Sequence, residues 1–311
     1  MIAYLTSPKV LRSALPAASF IILLAAIFYI QPRAMSYFGL NLMLQYAVPI
    51  ALATIAQMFI ITVNDLDLSI GAFVGLTASI GATLLADTPL LGILALLACV
   101  AGYAALGALI HWRNLPSIVV TLGMSFVWLG IAVLVLPTPG GTAPAWIKSL
   151  MGLKIPVIPF PIVAAVVIAL VVHLLLMKSS YGVVLRGAGG NPRAIGRAGW
   201  SLLKTKMVMY AAAGFFGVLS GLSLIGLTSA ADAHIADRYT LYSIAGVILG
   251  GGEFVGGRIS PTGAVLGALT LTLTGSFLIF LKFPTDWQIG AQGGILIIVL
   301  ALRALINRRE A

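Results

Sequence analysis

The stretch Lys178–Lys206 reads KSSYGVVLRGAGGNPRAIGRAGWSLLKTK. It is the longest polar interval in a chain that is otherwise almost all hydrocarbon. It carries Lys178, Arg186, Arg193, Arg197, Lys204 and Lys206 and no acidic residue. Apolar runs precede and follow it, so it sits at one membrane face. Short loops rich in Lys and Arg are retained in the cytoplasm, which assigns that face. Within it, Gly189 to Ile195 has the marks of a short helix, with Asn191 as N-cap and Pro192 at the first helical position. Two readings stand beside each other: an element presented for docking, or a basic anchor that only sets topology.

Composition makes the surrounding class plain. Of 311 residues, 60% are hydrophobic and 8% charged, and the mean hydropathy is +1.11. Soluble domains carry roughly 25% charged residues. The fold class is therefore all-α and polytopic, a single transmembrane domain over 1–311 with 178–206 as its cytoplasmic loop. The net charge of +10 does not point to nucleic acid. The basic residues fall at the ends of apolar runs, where they set orientation and meet anionic lipid. Cys99 is the single cysteine and reads as a small buried apolar residue. The 34 glycines suit close helix packing in lipid. The first apolar run, 14–31, ends in Gln31-Pro32-Arg33 with no small-x-small cleavage site, and reads as a retained span.

A span needs about 20 apolar residues. The runs are 14–31, 42–63, 68–86, 90–110, 116–136, 157–177, 206–228, 240–252, 260–281 and 287–306, which predicts ten transmembrane segments. The eighth is short and ends in glycines, so it reads as broken or re-entrant. With both termini inside, the cytoplasmic segments hold Lys9, Arg12, Arg113, the six basic residues of the long loop, Arg258, Arg303, Arg308 and Arg309. That is 13 of the 18 basic residues, in accord with the positive-inside rule. Trp146 and Trp287 suit the interfacial aromatic belt. An outer loop, 229–238, holds Asp232, His234 and Asp237. It reads as solvated, because no second histidine or cysteine completes a metal set.

Two further stretches break the apolar monotony. In Asn64-Asp65-Leu66-Asp67-Leu68-Ser69 two aspartates lie beside apolar spans, although a carboxylate deep in a bilayer costs roughly 2.5–3.5 kcal/mol on insertion scales. Either Asp67 or Ser69 caps the next helix, or the segment is a polar break lining a pathway. In 250–258, Gly250, Gly251, Gly256 and Gly257 flank Glu253, which is placed to pair with Arg258. This reads as a tight re-entrant turn or as a hinge in the path.

Several chemistries are excluded. The chain has no phosphate-binding G-x-x-x-x-G-K-[ST] loop, no H-E-x-x-H, no nucleophile elbow and no cysteine pair. Its eight acidic residues lie almost all at predicted membrane edges. That is not the intramembrane carboxylate series of an ion-coupled pump.

Together these stretches resemble the permease subunits of bacterial ATP-binding-cassette (ABC) sugar importers of the ribose, xylose and galactose type. That superfamily also holds nucleoside, autoinducer-2 and branched-chain amino acid permeases. The likeness runs from about Asn41 to Leu302. Leu66-Asp67-Leu68-Ser69-Ile70-Gly71 is similar to the family's I-D-L-S-V-G. Pro116 with Thr121-Leu122-Gly123 is similar to P-P-F-I-x-T-L-G. Gly189-Gly190-Asn191 with Ala194 and Gly199 is similar to G-G-N-x-x-A-A-x-x-x-G-I. Tyr239 through Arg258 follows the last motif, with its paired glycines. The family's Gly-Gly before I-D-L-S is Asn64-Asp65 here, Ser117-Ile118 replaces Pro-Phe, and Glu253 stands where a small polar residue is usual.

The resemblance implies a non-enzymatic, multi-pass protein of the bacterial inner membrane. It implies that Gly189, Gly190, Asn191, Arg193, Ala194 and Gly199 form a coupling helix seated in a cleft of a separate cytoplasmic ABC ATPase. Pro192-Arg193 replaces a frequent Glu-Glu, so that cleft is expected to be more acidic. The resemblance further implies a second permease chain, identical or a sister, a periplasmic solute-binding protein, and a sugar-like solute. The chain itself holds no cofactor, since ATP and Mg2+ reside on the ATPase. Nucleoside, autoinducer-2 or branched-chain amino acid transport within the superfamily is the alternative. An ATP-independent secondary transporter is a further one.

Overall fold

A computed structural model of the chain describes residues 8–254 and 256–284, with isolated positions up to 297, and side chains from 15 onward. Among the described residues the elements are helical, and one isolated antiparallel bridge joins Gly140 to Ala231. The helices are α1 (Pro8–Ile30), α2 (Tyr37–Leu44), α3 (Ala47–Thr62), α4 (Ile70–Ala82), α5 (Leu84–Asp87), α6 (Pro89–Trp112) and α7 (Ser117–Val135). They continue with α8 (Ala145–Met151), α9 (Phe160–His173), α10 (Ser180–Gly190), α11 (Pro192–Arg197), α12 (Leu202–Thr228), α13 (Tyr239–Leu249) and α14 (Pro261–Phe280).

Six described helices are long and apolar enough to cross a membrane, or seven if α2 and α3, bent by 41°, form one span. The expected ten is thus corrected for the described residues. The tenth run, 287–306, lies outside them apart from isolated positions. The apolar parts of α1 and α13, Leu15–Ile30 and Tyr239–Leu249, fall below spanning length. For α13 the reason is that the helix starts only after the irregular segment 229–238 and ends at the Gly250 turn.

The pillar of the bundle is α3, whose residues are all buried, packed with the long α12. Thr54 and Thr62 donate to the Ile50 and Met58 carbonyls at 2.7 Å. These hydroxyls are thereby satisfied within their own helix and add no polar demand to the core. Helices α6, α7 and α9 turn large apolar side chains outward, among them Leu97, Phe126 and Leu170. That is the surface expected against lipid.

Two short helices meet end to end inside this frame. The Gly71 amide, in the first turn of α4, donates to Thr240 Oγ1 in the first turn of α13 at 3.0 Å. The meeting point lies near the middle of α12, where Gly217 touches Ile70 and Phe73. From there α4 follows the second half of α12, past Gly221 and Ile225. Helix α13 leaves the other way along α3, with Gly246 against Thr54. Irregular segments, 63–69 and 229–238, lead into the N-termini of α4 and α13. The second descends along α4: a Cβ at Gly75 or Gly71 would strike the Ala233 or Ala236 carbonyl. Non-helical backbone at membrane depth is tolerated only where protein or a cavity satisfies it, and paired broken helices are a known solution.

Helix α13 also packs closely on α14. Gly246 and Gly250 face Gly267 and Gly263, and a Cβ on either of the latter two would collide with the opposing carbonyl. This is a small-xxx-small contact on both helices. Gly250 therefore serves helix packing, while its neighbours further along form the turn.

Candidate functional site

The segment 63–69 is held by side chains in place of a helical ladder. The Leu66 amide donates to Ser117 Oγ at 3.2 Å, and the Leu68 amide donates to Thr121 Oγ1 at 3.1 Å. With the Gln57 amide oriented to satisfy both groups, it donates to the Asp67 carbonyl at 3.1 Å and accepts from the Asp67 amide at 3.2 Å. Ser117, which departs from the family's Pro-Phe, thus supplies an acceptor that proline lacks.

Asp67 is fully buried. Its Oδ1 accepts from the Ser69 amide and hydroxyl at 2.6 and 2.7 Å, and its Oδ2 accepts from Tyr103 Oη at 2.7 Å. Neither expected cap forms: Ser69 stands at the N-cap of α4 without a side-chain cap bond. Asp67 instead closes a local turn onto Ser69 and reaches across to α6. Both oxygens have donors, so this carboxylate is sealed and satisfied, as burial demands. In this conformation Asp67 and Ser69 line no opening.

Asp65 takes Lys206 at 2.7 Å and the Tyr210 hydroxyl at 3.0 Å, both on the same Oδ2. The Lys206 and Asp65 side chains are 17% and 11% exposed. One of the six basic residues of the long loop is therefore consumed in a largely buried ion pair with the break.

Asn64 joins the three stretches. Its φ of 60° is left-handed, a region asparagine tolerates and one that suits the glycine usual in the family. Unlike glycine, it adds two bonds. Nδ2 donates to the Gly189 carbonyl at 2.7 Å, and Oδ1 accepts from the Gly256 amide at 3.0 Å. Gly189 sits against the Thr62 carbonyl and Gly257 against that of Arg186, with no room for a Cβ at either. Gly190, Asn191, Gly251, Gly256 and Gly257 line a shallow pocket of about 580 Å³ at this junction.

From the junction α11 projects. Asn191 Oδ1 accepts from the Ala194 amide at 3.0 Å and Pro192 opens the helix, as expected. Asn191, Arg193, Ala194, Gly196, Arg197, Gly199 and Trp200 are exposed, while Ile195 packs over Gly187. Gly199 closes the turn at φ 83°.

Glu253 pairs with Arg258 at 3.4 Å, and its amide donates to the Arg258 carbonyl at 3.0 Å. This pair closes the glycine turn on the exposed surface. In the outer loop His234 Nδ1 meets Asp237 Oδ2 at 3.0 Å, both half-exposed.

Sequence reading missed the partners of the aspartates. Gln57, Tyr103, Tyr210 and Lys206 all act on the break. For Gln57, Tyr103 and Tyr210 a polar signal existed, since an amide and two phenols in apolar helices need partners when buried.

A family described as branched-chain amino acid transport system / permease component matches residues 39–300. The galactose/methyl galactoside import permease protein of Salmonella typhimurium is 28% identical over 93% of this chain and 93% of its own. The ribose import permease protein of Bacillus subtilis is 27% identical over 88% and 85% of the two chains. The D-allose transport system permease protein of Escherichia coli is 26% identical over 81% and 79%. No solved structure matches.

Proposed function

The chain belongs to the branched-chain amino acid transport system / permease component family, and from that premise we propose that it translocates a sugar or sugar-like solute using ATP hydrolysed by a separate ABC ATPase. It is a transport protein and not an enzyme, and a multi-pass protein of the inner membrane. The sugar class is supported by the galactose, ribose and allose permeases it resembles.

The observation that carries the coupling role is the exposed α11 tied through Gly189 to Asn64. The ATPase, loaded with ATP and Mg2+, seats α11 in its cleft. Closure of two ATPase copies moves α11, and the hydrogen bond moves the head of the 63–69 break with it. Two permease chains, identical or sisters, form the path between them. A periplasmic binding protein delivers the solute, and lipid surrounds the rest. Solute and ATP drive the cycle only because they favour different conformations.

The test is Arg193→Glu combined with Ala194→Glu. Membrane insertion is expected to be normal, while the ATPase no longer co-purifies and uptake stops. A variant that retains a functional ATPase removes α11 from the coupling role.

A further inference from the structure

A cavity of about 500 Å³ opens where the α2–α3 bend, the end of α12 and the 229–238 segment meet. We propose that it is an entry site for a monosaccharide, occupied before the solute enters the path between the two permease chains. The proposal rests on the sugar-transport reading above and places its substrate at residues that reading does not use.

The location argues for a polar occupant. The 229–238 segment runs irregularly down α4, and such backbone at membrane depth needs protein or water beside it. On its cavity side it presents His234, Asp237 and Arg238. The size lies within the range of small-molecule sites, roughly 300–1,000 Å³.

The lining argues for a neutral, hydroxyl-rich ring. Tyr46, Tyr239 and Tyr242 all contribute to the wall. Phenol rings offer an apolar face to C–H groups and a hydroxyl to polar ones. Asp237 is paired with His234 at 3.0 Å, and Arg238 hydrogen-bonds the Tyr242 side chain. Each retains spare capacity: a carboxylate accepts several bonds and a guanidinium donates five. Sugar hydroxyls, which donate and accept, match that set. Tyr239 opens α13, one residue before the Thr240–Gly71 contact, so an occupant rests directly on the joint.

The single native cysteine, Cys99, is buried, which makes an introduced thiol a clean reporter. Ile235→Cys in the full chain, in intact cells, is alkylated from outside with and without D-galactose, D-ribose or L-leucine. Uptake of the same labelled solutes is measured in parallel. A transported monosaccharide is expected to slow labelling about threefold at twice its Kd. L-leucine has no effect, and Tyr242→Ala abolishes the protection. Thr228→Cys is the second reporter, should Ile235→Cys fail to reach the membrane. Sugar uptake without protection of either thiol overturns the entry site and leaves the transport reading intact. Uptake of and protection by L-leucine, with none by sugars, overturns both.

Discussion

Asn64 donates a 2.7 Å hydrogen bond to the Gly189 carbonyl across 125 residues of sequence. One side chain thereby connects the loop that ends in α11 to the polar break that begins at Asp65. Its other end accepts from Gly256, so three separately recognised stretches share a single residue.

Asn64→Gly retains the left-handed backbone and removes both bonds. Folding and ATPase binding are expected to persist, whereas solute uptake per ATP falls about tenfold, within the ordinary range of coupling energies. Parallel uptake and ATP-hydrolysis assays on reconstituted transporter check this. An unchanged ratio means that Asn64 carries no coupling.

Tyr103→Phe leaves the ring contact with Phe73, at 4.3 Å between centroids, and removes the donor to Asp67 Oδ2. A buried acceptor left unpaired costs about 1–3 kcal/mol, or more when charged. Thermal unfolding in detergent is expected to shift down. Phe at 103 with native stability shows that Asp67 does not depend on this phenol.

Asp65→Ala and Lys206→Ala each strand a partner of a largely buried pair. Each single change is expected to destabilise by about 3–5 kcal/mol. The double variant recovers part of that, since no uncompensated charge remains. A double-mutant cycle in protein abundance and unfolding reads the coupling directly. Additive losses contradict the ion pair.

Gly189→Ala drives a methyl into the Thr62 carbonyl. Removal of the seat under α11 is expected to raise tryptic cleavage at Arg193 and Arg197 about tenfold, as local opening becomes easier. Limited proteolysis of native membranes measures it. Gly257→Ala, which collides with the Arg186 carbonyl, should give the same phenotype from the other side of the junction.

Much of this was legible in the residues. Asn191-Pro192 specified the start of α11 because capping is local chemistry. The Glu253–Arg258 pair spans one glycine turn and was visible for the same reason. Of the two readings open for Asp67, local capping anticipates its bond from the Ser69 amide, whereas the bond from Tyr103, 36 residues on, is not legible in the sequence. The eighth span reads as short and broken at its glycines, and the helix does end there; the irregular backbone that precedes it, 229–238, is not legible in the sequence. The 229–238 segment reads as a solvated loop, and His234 and Asp237 are indeed exposed; what its polar residues do not reveal is that its backbone packs beside Gly75 and Gly71.

What the sequence alone determined was the solvent of the fold, its helical class and the basic loop with its exposed helix. Hydropathy, charge placement and capping act within a turn or a span, so one-dimensional pattern suffices. The tertiary structure decided that Asn64 meets Gly189 and Gly256, that Asp65 and Asp67 are satisfied by Lys206, Tyr210 and Tyr103, and that α4 and α13 meet N-terminus to N-terminus. Those contacts join residues dozens to nearly two hundred positions apart. They exist only because helix packing brings polar groups together that lipid would leave unpaired.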